Sequence, residues 1–91
     1  MQRTTANDPL TLALAALAAT LSDERRAQRF LDLTGIETEE LRERAGDPVV
    51  LAALIRFLEA FEPDFVAVAQ AIGSKPEDLV EARRQLEEGN S

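Results

Sequence analysis

Two apolar segments, each opened by the dipeptide Asp-Pro, constrain this chain most strongly. The first segment covers residues 10–21 after Asp8-Pro9, and the second covers residues 49–61 after Asp47-Pro48. An aspartate caps the first turn of a helix, and proline is favoured at the first helical position because no N–H is needed there. The apolar residues recur at helical rather than alternating spacing. The sequence therefore predicts two mostly buried helices that pack together at the centre of the protein.

The first apolar helix is predicted to be enclosed by the others. Leu10, Leu14, Leu17 and Leu21 form one continuous stripe along it, and small or apolar residues occupy most of its remaining surface. A helix that is apolar all round is normally buried. The run is shorter than the roughly 20 residues that a transmembrane helix needs. A signal peptide is not expected either, because Asp8 offsets the positive charge of Arg3 and Pro9 stands at the entrance of the run.

Serine, glycine and proline divide the rest of the chain into short helices. A second helix is predicted between a Ser22 cap and Gly35, which supplies the left-handed residue that ends it. Its inner face is predicted to consist of Ala27, Phe30, Leu31 and Thr34, widened by Leu33. A short third helix follows over residues 38–45, a fifth ends at Gly73, and a last one starts at Pro76.

No alternating run of residues indicates a strand. We therefore predict an all-α fold, a compact orthogonal bundle of five to six short helices in one domain over residues 8–88. Flexible tails are predicted at residues 1–7 and 89–91.

The helix signals occur twice along the chain. The pattern Asp-Pro-x-x-Leu-Ala starts at Asp8 and again 39 positions later, and the pattern Gly-x-x-x-Glu-[Glu/Asp]-Leu-x-Glu starts at Gly35 and again 38 positions later. An internal duplication would explain both and would place the two apolar helices about a pseudo-two-fold axis. Coincidence is the alternative, because most helices use such starts and stops.

Composition excludes several classes of function. The chain has no histidine, cysteine, tryptophan or tyrosine, and 17 acidic residues outnumber 10 basic ones for a net charge of −7. Zinc fingers, thiol catalysis, Ser-His-Asp triads and disulfide scaffolds are therefore excluded. An acidic surface repels nucleic acid and anionic lipid. We expect a cytoplasmic protein that is not an enzyme.

The charged clusters are weak candidates for sites. Glu37, Glu39, Glu40 and Glu43 form the densest acidic cluster, which is typical of a solvated helix face rather than a metal site. The basic candidates for an interaction site are Arg25, Arg26 and Arg29 early in the second helix and Arg83 and Arg84 in the last one. Exposed arginines that pair with nearby carboxylates and cover apolar surface are the alternative interpretation.

Residues 65–84 allow a different function, DNA binding through a helix-turn-helix. Ala69, Gly73 and Leu79 have the spacing that two helices need to cross closely around a tight turn. A helix that binds DNA needs cations for the phosphates, whereas acidic residues begin this one. A helix-turn-helix that serves packing alone is favoured.

The order of these features resembles a known protein family. The resemblance rests on Arg29-Phe30-Leu31-x-Leu33-Thr34-Gly35-Ile36, an apolar helix that ends in Phe57-Leu58, the pair Glu62-Pro63 and Gly73-x-x-Pro76-Glu77-Asp78-Leu79. This pattern is similar to a family of small alphaproteobacterial proteins described as a domain of unknown function. The resemblance covers most of the chain after Asp8 and implies an all-α domain, without implying an activity, cofactor or partner. It departs at Glu37-Thr38 and Lys75-Pro76, where the family often has aspartate before the helix, so we expect weaker capping there.

Together these features predict an interaction module. We expect it to bind a protein partner, or a second copy of itself as a homodimer, through a helix face or groove. No cofactor, metal or membrane is expected to be involved, and a helix-turn-helix that binds DNA through residues 65–84 is the alternative.

Overall fold

A computed structural model of the chain describes residues 8–89, which form six α-helices and no strand. The helices are α1 (Pro9–Leu21), α2 (Glu24–Thr34), α3 (Thr38–Glu43), α4 (Pro48–Glu59), α5 (Glu62–Ala71) and α6 (Pro76–Glu88). The predicted all-α fold is confirmed. Of the predicted tails, residues 1–7 and 90–91 lie outside the described part of the chain.

Both Asp-Pro dipeptides start helices, as predicted. A carboxylate oxygen of Asp8 accepts the N–H of Thr11 at 3.0 Å, and one of Asp47 accepts the N–H of Val49 at 2.9 Å. In both helices the proline occupies the first turn, where its missing N–H leaves no hydrogen bond unmade. Local chemistry therefore determines where α1 and α4 begin.

The predicted Ser22 cap of α2 is wrong. Asp23 caps this helix, and its carboxylate accepts the N–H of Arg26 at 3.0 Å. Ser22 still has helical backbone angles at the end of α1, and its hydroxyl donates to the carbonyl of Ala19 at 2.7 Å. It cannot also adopt the extended backbone of an N-cap residue, which Asp23 has.

Two glycines end helices in the left-handed conformation. Gly35 and Gly73 both have φ of +73°. The N–H of Gly35 donates to the carbonyl of Leu31 at 2.9 Å, and the N–H of Ser74 donates to the carbonyl of Ala69 at 2.9 Å. These bonds satisfy carbonyls that the helices leave open. Since other residues are strained at positive φ, both stops require glycine.

The two helix starts that depart from the family pattern lack a side-chain cap, as expected. Neither Glu37 nor Lys75 accepts a backbone N–H through its side chain. At α6 the N–H of Lys75 instead donates to a carboxylate oxygen of Asp78 at 3.1 Å. Helix α3 ends at Glu43, two residues earlier than predicted, so it has only six residues.

The core is centred on α4 and α6, and α1 packs against both. Helix α4 is mostly buried, as predicted, and Leu51, Leu54, Ile55 and Leu58 are fully enclosed. The rings of Phe30 and Phe57 meet edge to face, with centroids 5.4 Å apart, and join α2 to this core. The buried apolar residues from the other helices include Leu12, Ala13, Ala16 and Leu17 of α1, Leu41 of α3, Val68 and Ala69 of α5, and Leu79, Ala82 and Leu86 of α6.

The prediction that α1 is enclosed is wrong. Leu10, Leu14 and Leu21 of the predicted stripe are 40%, 38% and 41% exposed, and only Leu17 is buried. The buried face instead includes alanines, whose small side chains let neighbouring helices approach closely. Leu33 of α2 is also not part of the core, because it is 73% exposed.

Candidate interaction surface

An apolar groove lies between the end of α1, the first two thirds of α2 and α3. Its volume is about 720 Å³. Its lining residues are Leu17, Leu21, Glu24, Ala27, Leu31, Thr38, Leu41, Arg42 and Ala45. A neighbouring depression shares Leu21, Glu24, Ala27 and Leu31 with it and extends over α2 to Arg25 and Gln28. We call this continuous surface the α1–α2–α3 groove.

The short length of α3 explains why the groove is open. The turn at Gly35 brings α3 back against the bundle, where Leu41 is buried. Helix α3 then stops after six residues and does not cover the neighbouring faces of α1 and α2. As a result Leu21 is 41% exposed, and Ala27 and Leu31 are only half-buried. By comparison, a hollow between α4 and α6 that Val49, Ala52 and Leu86 help to line has a volume of only about 290 Å³.

Two of the predicted interaction residues are engaged in an ion pair between helices. The guanidinium Nε of Arg26 lies 3.1 Å from Oδ1 of Asp64, and Nη2 of Arg29 lies 2.8 Å from Oδ2 of the same carboxylate. The guanidinium of Arg29 also lies over the ring of Phe61, 4.7 Å from its centroid. Asp64 is buried in α5, so this ion pair joins α2 to α5.

Sequence reasoning did not single out Asp64. It follows Pro63 in the first turn of α5, where an acidic residue is ordinary because of the helix dipole. The available signal was its position between Phe61 and Phe65, since a carboxylate among aromatic residues needs a cationic partner.

Arg83 also has partners within the chain. Its guanidinium bonds to Glu59 of α4 at 2.5 Å and to Glu87 at 3.0 Å, and Glu87 in turn lies 2.7 Å from Arg56. The hydrogen bond from Arg56 lowers the pKa of Glu87, and the hydrogen bond to Glu59 raises the pKa of Arg83. This network ties α4 to α6. Arg84 is exposed and lies 3.4 Å from Glu81 of the same helix.

Arg25 and Arg42 differ from the other arginines in the described part of the chain. Six of the eight arginines within residues 8–89 form ion pairs with carboxylates, and these two form none. Both border the α1–α2–α3 groove. Sequence reasoning included Arg25 among its candidates and missed Arg42. The signal for Arg42 was its place beside Leu41, four residues after Thr38 on the helix face that lines the groove.

Two further findings concern residues 8–89 alone. No three acidic side chains in this range converge closely enough to hold a metal ion. None of its six helices combines the length and the apolar character that crossing a bilayer requires.

Comparisons with known proteins identify a family for this chain. No curated protein and no solved structure matches this chain. A family model described as "Protein of unknown function (DUF3572)" matches residues 6–89, which confirms the predicted resemblance to a domain of unknown function. The predicted alphaproteobacterial origin stays a prediction. Because the match covers nearly the whole chain, this protein belongs to the DUF3572 family.

Proposed function

We propose that this protein is a non-catalytic interaction module whose α1–α2–α3 groove binds a helix of a partner protein. The observation that supports this most is the open apolar groove itself, along which Leu21 is exposed and Ala27 and Leu31 are only half-buried. Amphipathic helices bind such grooves by burying an apolar face, and the loss of apolar surface to water provides the free energy.

The shape of the groove supports a helix rather than a small molecule. A small-molecule site normally encloses most of its ligand and has several convergent polar groups. Here the lining is mostly leucine and alanine from three helices, with charged and polar residues at its edges. Such an arrangement suits a long apolar face with a polar surround, as a partner helix has.

The alternative of DNA binding through residues 65–84 has less support. Leu79, Ala82 and Leu86 of α6 are buried against the bundle. Arg83, on the same helix, is engaged with two glutamates. The exposed part of α6 therefore offers few free cations for phosphate groups. We also propose a cytoplasmic location, since the chain contains no cysteine that would indicate an oxidising compartment.

Two matched leucines test the groove proposal. Leu21 borders the groove and Leu10 does not, although both are in α1 and are 41% and 40% exposed. Helical peptides that bind the protein would be selected from a displayed library, and their affinities for L21Q and L10Q would be measured by fluorescence anisotropy. We expect L21Q to weaken binding about tenfold, because it removes buried apolar contact.

The L10Q variant serves as the control and should bind as the unmodified protein does. If L10Q weakened binding as much as L21Q, or if no helical peptide could be selected, the proposed function would be wrong. Circular dichroism of both variants would establish that the helices are intact.

A further inference from the structure

The arginines at the edge of the α1–α2–α3 groove indicate which kind of partner binds there. The chain has 17 acidic and 10 basic residues, so carboxylates are abundant on its surface. Even so, Arg25 and Arg42 form no ion pair with a carboxylate of residues 8–89, whereas the other six arginines in that range do. Both arginines without an ion pair thus border the open apolar surface.

The acidic residues of α3 point away from this surface. Glu39, Glu40 and Glu43 do not line the groove, and Glu40 lies 3.2 Å from Arg44. Arg42, next to the buried Leu41, does line it. Glu24 is the acidic residue that borders the groove, so two cations and one anion surround its apolar lining.

We propose, as a deepening of the function proposed above, that the partner is an acidic amphipathic helix with carboxylates flanking its apolar face. When a helix covers the groove, it removes water from Arg25 and Arg42. A guanidinium that loses water without gaining a partner costs free energy, whereas a carboxylate can accept two parallel N–H bonds from it. The apolar face would lie on Leu21, Ala27 and Leu31.

A second copy of the chain is a poorer occupant. The apolar helix that a second copy would offer most readily is α1, with its exposed leucines. Helix α1 contains no charged residue and would leave both arginines without a partner. The net charge of −7 opposes an acidic partner at long range, but salt screens charges beyond about 8 Å under physiological conditions. Contacts at hydrogen-bond distance therefore decide the preference.

The test uses a helical peptide from the selection described above whose binding is weakened by L21Q. It would be synthesised with glutamate, or with lysine, at the positions flanking its apolar stripe. Affinities for the full chain, for the double variant R25E/R42E and for the control R84E would be measured by fluorescence anisotropy. Arg84 is an exposed arginine of α6 that does not border the groove.

We expect the glutamate peptide to bind the unmodified protein about tenfold more tightly than the lysine peptide, as about 1.4 kcal/mol of charge-assisted hydrogen bonding would give. The double variant should reverse this order, and R84E should preserve it. Added salt should reduce the difference in affinity between the glutamate peptide and the lysine peptide.

The outcomes separate the two proposals. If both peptides bound equally, or the lysine peptide bound more tightly, the acidic partner would be excluded while the groove would remain a binding site. If no selected peptide were sensitive to L21Q, both proposals would fail. Light scattering that showed a dimer in the unmodified protein, and a monomer in L21Q, would identify a second copy as the occupant and overturn the inference.

Discussion

Helices α1 and α4 start in the same way and end up in different environments. Each begins with an aspartate cap and a proline, and each is almost wholly apolar. Yet α4 is surrounded on most sides, whereas α1 leaves Leu10, Leu14 and Leu21 exposed. The same start signal and a similar apolar content therefore do not decide how deeply a helix is buried.

Side-chain size and the third helix of each half account for the difference. Counted from the two capping aspartates, Ala15, Ala16, Ala18 and Ala19 of α1 correspond to Leu54, Ile55, Phe57 and Leu58 of α4, 39 positions later. The larger side chains of α4 reach several neighbours. In addition, α6 has 13 residues and packs on α4 and α1, whereas α3 has six. In the first half of the chain (α1–α3) the apolar surface of α1 is thus left partly open, whereas in the second half (α4–α6) that of α4 is covered.

The largest expected effect comes from shortening a core side chain of the closed half. Leu58 is fully buried, and L58A should lower the free energy of unfolding by about 3 kcal/mol through lost burial and a cavity. L14A, in the open half, should lower it by less than about 1 kcal/mol because Leu14 remains in contact with water. Urea denaturation of both variants measures the difference, and equal losses would contradict the contrast between α1 and α4.

The ion pair that joins α2 to α5 predicts the next largest effect. D64N removes the carboxylate that lies between Arg26 and Arg29 and leaves two cations together, so it should lower the free energy of unfolding by about 1–2 kcal/mol. Because Arg29 is partly exposed, this loss in the free energy of unfolding is smaller than for a fully buried ion pair. In the same turn Glu62 is exposed, and E62Q is the matched control. An unfolding midpoint that D64N leaves unchanged would show that this ion pair does not stabilise the contact.

The two glycine stops provide a third comparison between the halves. G35A and G73A should each cost about 1 kcal/mol, since an alanine is strained at φ of +73°. A methyl group added at either glycine would meet no atom of a non-adjacent residue within 4 Å, so conformation rather than a clash sets the cost. G46A should change stability by less than about 0.5 kcal/mol, because Gly46 does not have positive φ. A cost for G46A as large as that for G35A would contradict this explanation.

The smallest expected effect is a loss of folding stability at low pH. The hydrogen bond from Arg56 holds the pKa of Glu87 below its ordinary value of 4.5. A group whose pKa is lower in the folded state contributes stability above its unfolded pKa and loses it as the pH falls through the folded pKa. The urea midpoint should therefore decrease below about pH 4.5, and less steeply in E87Q than in the unmodified protein. E43Q, at an exposed carboxylate of α3, should follow the unmodified protein.

Short-range signals made much of the fold predictable from the sequence. The capping aspartates Asp8 and Asp47 and the stops Gly35 and Gly73 act through bonds to residues a few positions away, and all four were identified correctly. The choice of buried face in α1 was not predictable in this way. Its leucine stripe and its alanine stripe are both apolar, and the faces of α4 and α6 decide which one packs.

The candidate site depended even more on distant parts of the chain. Arg25, Arg26 and Arg29 are close in sequence, but only the last two reach Asp64, which is more than 30 positions away. Arg42 became a candidate only once its lack of a carboxylate partner was visible. Whether a groove stays open depends on the position of every helix that could cover it. An open groove therefore cannot be identified from local sequence signals.

Methyl NMR spectra of the leucines, recorded with and without a helical peptide from the selection, would show whether the α1–α2–α3 groove is the binding surface. We expect the resonances of Leu21, Leu31 and Leu41 to shift on binding, because these residues line the α1–α2–α3 groove. Shifts confined to Leu10 and Leu14, or to the leucines of α4 and α6, would contradict it.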